Sequence, residues 1–271
     1  MTTRRTNRLA VLAPLLLVFV ACSSSAKAST AQPTTTAGAQ TTTTAAALSG
    51  SLNVFAAASL TAAFNAAKST FASADPGLSL TLNFAGSNTL VTQIQQGAPV
   101  DVFASADQAN MTKLVTAGLV DTPVTFAKNK LEIAVAPGNP KQITSLQDLA
   151  KPGRTVVLEA VGVPAGDYTR QVEQQLGITI TPKSLALDVK TAITSVTSGE
   201  ADATVVYVTD VAAAGSQVAG VTIPDNLQPA ITYPIAVVKA THNQAAAASF
   251  VQSAVSGDVQ KALIAQGFIA P

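Results

Sequence analysis

Three junctions in the chain have the residue types to meet an anion, because each reads as a strand running into a helix through small residues: Ala58-Ser59, Gly86-Ser87 and Pro164-Ala165-Gly166. The first four N–H groups of a helix lack partners within it, and the helix dipole places roughly half a positive charge at the same end. Backbone amides so placed hold anionic groups without help from a cationic side chain. Ser59 and Ser87 would add hydroxyl donors to the cluster. Serine is also a common N-cap, so the alternative is that each hydroxyl serves only its own helix.

Other chemistry is scarce. His242 is the only histidine and Cys22 the only cysteine. His242 falls in the turn-like run Ala240-Thr241-His242-Asn243, with no nucleophile elbow nearby to complete a Ser-His-Asp triad. One histidine and a cysteine ahead of the folded region do not make a zinc or iron centre. Neither a GxxxxGK(S/T) loop nor a GxGxxG fingerprint occurs. Glu200, Asp202 and Asp210 read as solvated or capping residues, and Tyr207 taken alone reads as a core residue. The sequence therefore predicts a binding protein with no cofactor, not an enzyme. A net charge of +1, without a basic stripe interleaved with aromatics, argues against nucleic acid as a partner.

Alternating elements must position the junctions. Strand patterns at 51–57, 78–84 and 100–104 are each followed by a helical one, at 60–71, 88–96 and 108–117. In the first helix Leu60, Ala63, Phe64, Ala67 and Phe71 recur along one face. Further strands read at 131–136, 155–159, 203–207 and 231–238, and further helices at 145–149, 167–176, 190–198, 244–256 and 259–266. This alternation predicts an α/β fold with parallel sheets. The economical arrangement returns the C-terminal elements to the first lobe. Residues 50–130 plus 231–271 then form lobe 1 and residues 131–230 form lobe 2, two βα lobes joined by a hinge of two chain crossings with a cleft between them. Open α/β sheets bind ligands beyond the carboxyl ends of their strands, where these junctions lie.

The N-terminus sets the compartment. Arg4, Arg5 and Arg8 precede an apolar run over 9–21 that is too short to span a bilayer, so residues 1–22 read as a signal peptide. Cys22, followed by Ser23, Ser24 and Ser25, resembles the acylated cysteine of a bacterial lipoprotein, although Phe19 stands where such a signal usually has leucine. Residues 23–49 are nearly all Ser, Thr, Ala, Gln and Gly and cannot bury a core, which predicts a disordered tether. The expected product is exported and held by lipid at the outer face of the cytoplasmic membrane.

The stretches FAAASL (55–60), FAGSNTL (84–90), QIQQGAPVDVFASAD (93–107), VPAGDY (163–168), LDVKTAITSVTSGEADATVVYVTD (187–210) and YPIAVV (233–238) together resemble the molybdate-binding proteins of bacterial ABC importers. The motifs occur in the family's order and span almost the whole folded part. The resemblance implies a type II periplasmic-binding-protein fold, a monomer that captures molybdate or tungstate and passes it to a membrane permease. It implies contacts to the oxyanion's oxygens from the hydroxyls of Ser59, Ser87 and Tyr207 and from the amides of Ala58, Ala165 and Val189. Another tetrahedral oxyanion such as sulfate is the alternative cargo. Gly86 and Asn88 stand where many relatives have serine, and Asp167 adds a carboxylate near Ala165 that is expected to face solvent or cap its helix.

Overall fold

The computed structural model describes residues 47–271, so the expected signal peptide, Cys22 and the tether as far as residue 46 lie outside the described residues. The strands β1 (Ser49–Ala57), β2 (Gly77–Ala85) and β3 (Val102–Ala104) run parallel in the order β2-β1-β3. Parallel neighbours need a crossover, and the helices α1 (Thr61–Ser73) and α2 (Ser87–Gln95) supply it. The buried face of α1 is Ala63, Phe64, Ala67 and Phe71, the stripe expected from helical periodicity. The helix α3 (Gln108–Thr116) is capped by Asp107, whose carboxylate accepts from Asn110 N at 2.9 Å.

The same sheet is completed by β4 (Val124–Asn129) and by β10 (Ile231–Val237), which enters between β3 and β4 and runs antiparallel to both. A second sheet centres on β5 (Leu131–Val135), antiparallel to β8 (Ala203–Tyr207) on one side and β9 (Ala219–Thr222) on the other. A parallel pair, β6 (Val157–Glu159) and β7 (Ser184–Ala186), touches β8 through a Val156–Ala203 bridge. The helices α5 (Pro164–Leu176), α6 (Val189–Thr197) and α7 (Val208–Ala214) start just beyond β6, β7 and β8. A short α4 (Leu146–Leu149) precedes β6, and α8 (Gln244–Ser256) and α9 (Asp258–Ala265) close the chain against α1 and the first sheet.

The sheets are therefore mixed, where alternation alone predicts parallel ones. A crossover helix separates β1 from β2 and β2 from β3, and both β2 and β3 pair in parallel with β1. Between β4 and β5 stands only Lys130, and β10 returns to the first sheet from the other side. Periodicity carries no sign of strand direction. The fold also holds β4, β7, α7 and β9, which no sequence signal singled out. Helix α5 begins at Pro164 rather than 167, because proline suits the first helical turn, where its missing N–H is no loss. Pairing begins at Ser49, inside the span expected as tether. Leu48, the one large aliphatic residue of that span, packs on the core, and its N–H donates to Asp75 Oδ1 at 2.7 Å.

Two features of the packing bear on the site. Aromatic rings run from the outer helices toward β8: Phe250 meets Phe64 edge-on at 5.4 Å, Phe126 meets Tyr233 at 6.3 Å, and Tyr233 meets Tyr207 at 5.8 Å. Such pairs contribute about 0.5–1.5 kcal/mol each beyond the area they bury. The chain passes between the two sheets twice, at residues 129–131 and 228–231. Gln228 fastens these crossings together, accepting from Leu131 N and donating to Leu131 O, both at 2.8 Å, as a strand neighbour would.

Candidate anion-binding site

The register of the first sheet builds half of the site. The pairing of β1 with β2 runs from Ser49↔Gly77 to Ala57↔Ala85, so both strands end at one level and Ala58-Ser59 emerges beside Gly86-Ser87. The pair Ala56↔Ala104 brings the end of β3 alongside, with Ala106 just beyond it. The other half comes from the starts of α5, α6 and α7. Ala58, Ser59, Ser87, Ala165, Val189 and Tyr207 all line one cavity of about 10 Å³. That is space for a single water-sized centre, so the two halves meet closely.

Neither serine spends its hydroxyl on its own helix. Ser87 Oγ accepts from Ala106 N at 3.1 Å, which leaves its own proton for the cavity. Ser59 Oγ lies 3.0 Å from Tyr233 Oη. The N-cap positions belong instead to Leu60 for α1, to Ala57 for the 3₁₀ turn Ala58–Leu60 that leads into it, and to Gly86 for α2, residues without a capping side chain. Neither hydroxyl caps its helix, and both serines line the cavity.

Tyr207 ends β8, and its ring is 1 % exposed. Its hydroxyl has no hydrogen-bond partner among the described residues. A buried hydroxyl left unpaired costs free energy, so a polar oxygen in this cavity would be favoured. Burial, followed by the neighbouring Tyr233 and Tyr168, holds its pKa well above the usual tyrosine value and keeps it a donor. Its N–H donates to Asp210 Oδ2 at 3.3 Å, and Asp210 pairs at 3.2 Å with Lys190. The lysine beside Val189 is thereby engaged away from the amides.

The helix starts are equally well prepared. Pro164 opens α5, so the next amides are those of Ala165 and Gly166. A Cβ on Gly166 would lie 2.5 Å from Glu159 O, which requires glycine there. Asp188 caps α6 through Thr191 N at 2.9 Å, an amide other than that of Val189. Asp167 turns back onto its preceding loop, accepting from Gly162 N at 2.9 and 3.2 Å, and so contributes no carboxylate to the cavity lining.

Gly86 marks a close approach of the two halves. A Cβ there would overlap the carbonyl oxygen of Leu187, just before α6, and would stand 2.8 Å from Asn88 Oδ1. Alanine at 86 is expected to hold the halves apart and weaken ligand binding about tenfold, or about 1.4 kcal/mol, without removing a donor. Calorimetric titration of Gly86→Ala checks this, with unaltered affinity showing that the approach is not needed.

Sequence reasoning missed three residues here. Tyr233 and Asn129 stand behind Ser59: Asn129 Nδ2 donates to Thr209 Oγ1 at 2.8 Å and to Tyr233 Oη at 3.4 Å. Glu159, at the end of β6, is 0 % exposed, and neither carboxyl oxygen has a partner among the described residues. Burial pushes its pKa up to about 8; Asp210 and Asp188 add to the rise and Arg170 opposes it. The available signals were a phenol in an apolar strand and a carboxylate closing the run Val156-Val157-Leu158.

A larger groove of about 890 Å³ lies at the opposite strand ends, with Asn53, Asp101 and His242 among its walls. Its main carboxylate is already engaged, since Asp101 accepts from Asn53 N at 2.7 Å and Thr241 Oγ1 at 2.6 Å. Among the described residues no cluster of His, Cys, Asp and Glu could hold a metal ion, and no helix is long and apolar enough to cross a membrane.

Comparison with known proteins adds independent information. The chain is 40% identical over 262 residues to the molybdate-binding protein ModA of Mycobacterium tuberculosis, covering 96% of both chains. It is 36% identical over 213 residues to the molybdate-binding protein ModA of Escherichia coli, covering 74% of this chain and 82% of that one. The periplasmic molybdate-binding protein of Azotobacter vinelandii shares the fold, with a TM-score of 0.71 at 23% identity over 81% of this chain and 99% of the other. Residues 52–269 match the family model for bacterial extracellular solute-binding proteins, and the chain belongs to that family.

Proposed function

We propose that the protein is the extracytoplasmic binding component of a molybdate importer, gripping the oxyanion between two lobes and presenting it to a membrane permease. The observation that carries this reading is the Tyr207 hydroxyl, buried and unpartnered among the described residues, facing a cavity it shares with Ser59, Ser87 and two helix starts. The mycobacterial and enterobacterial relatives named for molybdate support the choice of cargo. In this reading the hydroxyls of Ser59, Ser87 and Tyr207 and the amides of Ala58, Ala165 and Val189 bind the anion, and tungstate, of the same charge and shape, is bound as well. Residues 50–130 plus 231–271 form lobe 1 and residues 131–230 lobe 2, with the paired crossings held by Gln228 as the hinge. Cys22 carries the lipid anchor, and the chain acts as a monomer.

The physics of the site fits a dianion. Enclosure strips the ion of water, and donors must replace that hydration in full. Hydrogen bonds to an ionised acceptor are the stronger kind. The cavity lining supplies hydroxyl and amide donors and no lysine or arginine, and the carboxylate of Asp188, which also lines it, is engaged in capping α6 through Thr191 N and Oγ1. A fully deprotonated oxyanion can accept from every one of these donors, whereas the proton of hydrogen phosphate finds no acceptor among the hydroxyls and amides that would hold the ion. Sulfate passes that test and is smaller, so it is refused on size. The ion stabilises the closed arrangement because only there do both lobes reach it.

Isothermal titration of the purified protein with molybdate, tungstate, sulfate and phosphate tests the assignment. Tight binding of molybdate with weak binding of sulfate is expected. Tyr207→Phe should weaken molybdate by about ten- to a hundredfold, the worth of one hydrogen bond to a charged acceptor. A protein that ignores molybdate would refute the reading.

A further inference from the structure

We infer that Tyr233 is a specificity-determining positioning residue that fixes the hydroxyl of Ser59 as a donor toward the ligand, through a chain of hydrogen bonds that begins at Asn129 between the sheets. The inference rests on the molybdate reading above and concerns how the same site refuses protonated oxyanions.

The direction of the chain follows from counting protons. The amide of Asn129 has its orientation set, because Oδ1 accepts from Lys130 N at 2.9 Å and a backbone N–H can only donate. Nδ2 therefore faces the other way, giving protons to Thr209 Oγ1 at 2.8 Å and Tyr233 Oη at 3.4 Å. Tyr233 Oη receives one proton and has one of its own to give, and Ser59 Oγ stands 3.0 Å away to accept it. Ser59 Oγ, already accepting, is left with its own proton, and the side open to that proton is the cavity.

Water does not scramble this order, since Ser59, Asn129, Thr209 and Tyr233 are all at most 5 % exposed. The phenol is also held mechanically. Its ring packs edge-on against Phe126, Tyr207 and Phe268, and the register of β10 on β4 shifts at Tyr233/Pro234. Burial first, and then Asp210, hold its pKa well above the ordinary tyrosine value, so the proton stays on Oη.

Without the phenol, Ser59 Oγ would be free to turn and accept. An anion carrying a proton, such as hydrogen phosphate, would then find at Ser59 an acceptor that the wild-type arrangement turns away from it. The consequence is a change in selectivity rather than a uniform loss.

The experiment measures affinity for molybdate, sulfate and inorganic phosphate at neutral pH, the weak ligands by displacement of molybdate, in the wild type, Tyr233→Phe and Asn129→Asp. Tyr233→Phe should weaken molybdate and sulfate by about tenfold and leave phosphate unchanged or tighter, so that the molybdate-to-phosphate ratio falls by at least that factor. Asn129→Asp acts on the same order from the far end, because a carboxylate would draw the Tyr233 proton away from Ser59. It should lower the ratio in the same direction, and it keeps the test open if the tyrosine variant folds poorly. Equal weakening of all three anions, or a ratio unchanged in both variants, would mean that Tyr233 is structural and would overturn the inference. Failure of the wild type to bind molybdate would instead remove the reading on which it rests.

Discussion

Replacing Ser59 and Ser87 together by alanine should lower molybdate affinity by about 10²–10⁴-fold while the protein remains folded. In the proposed site each hydroxyl would give a hydrogen bond to a doubly charged acceptor, worth about 1.5–3 kcal/mol, and two such losses give that range. The fold is affected less. The variant leaves Ala106 N without its partner at Ser87 Oγ and Tyr233 Oη without Ser59, at roughly 1–3 kcal/mol for each buried group. In a chain of this size about 1 kcal/mol corresponds to a shift of roughly 2–4 °C in Tm, so a fall of roughly 4–24 °C is expected. Titration calorimetry beside thermal unfolding separates the two effects. Retention of wild-type affinity would show that the anion binds elsewhere.

The second large effect lies in the pH dependence of stability. Glu159 is held protonated in the folded protein, with a pKa pushed up to about 8 by burial against a usual value of 4.5. Between those values the folded chain carries a proton that the unfolded chain has lost. Stability therefore falls as pH rises from about 4.5 to about 8, by at most roughly 1.4 kcal/mol per pH unit from this one group. Asp210 and Asp107, whose pKa values are also raised by burial, act in the same sense. Glu159→Gln keeps the shape and stays neutral, so it should flatten the slope and be more stable than wild type at pH 8 while nearly matching it at pH 4.5. Urea unfolding of both proteins at pH 4.5, 6 and 8 is the measurement, and identical slopes would mean that the carboxyl is ionised in the fold. The neutral form also matters for binding, since an ionised Glu159 would place a negative charge among the elements meant to hold a dianion.

The framework was largely legible because its periods are strong. The α1 stripe of Ala63, Phe64, Ala67 and Phe71 and the strand beginning Leu52-Asn53-Val54 are local patterns, and each formed close to where it was expected. Strand direction was not legible, since β5 reads the same whether β8 lies parallel or antiparallel to it. Short elements escaped for a different reason. β7 is Ser184-Leu185-Ala186, with two of its three residues exposed, and exists because β6 pairs with it. The run of β8 into α7 hides its boundary in continuous apolar sequence, with Asp210 as the only capping signal.

The candidate site divided along the same line. Ser59 and Ser87 could be picked out because each sits at a junction where a strand runs into a helix, and that is a local fact. Tyr207 was drawn in only through a family likeness, because nothing near it in the chain says that its hydroxyl lacks a partner. Tyr233 and Asn129 reach Ser59 across separations of 174 and 70 residues, through the pairing of β10 between β3 and β4. No window of sequence contains that relation.

A cavity whose lining holds no lysine or arginine also has a consequence for the medium in which the protein works. Mobile ions screen exposed charges over about 10 Å at 0.1 M, but they act weakly on groups enclosed within protein. With a net charge of only +1, the surface neither draws in nor repels a passing anion strongly. Capture should then proceed almost alike in dilute and in brackish surroundings, a tolerance that a pocket built on arginine would not share.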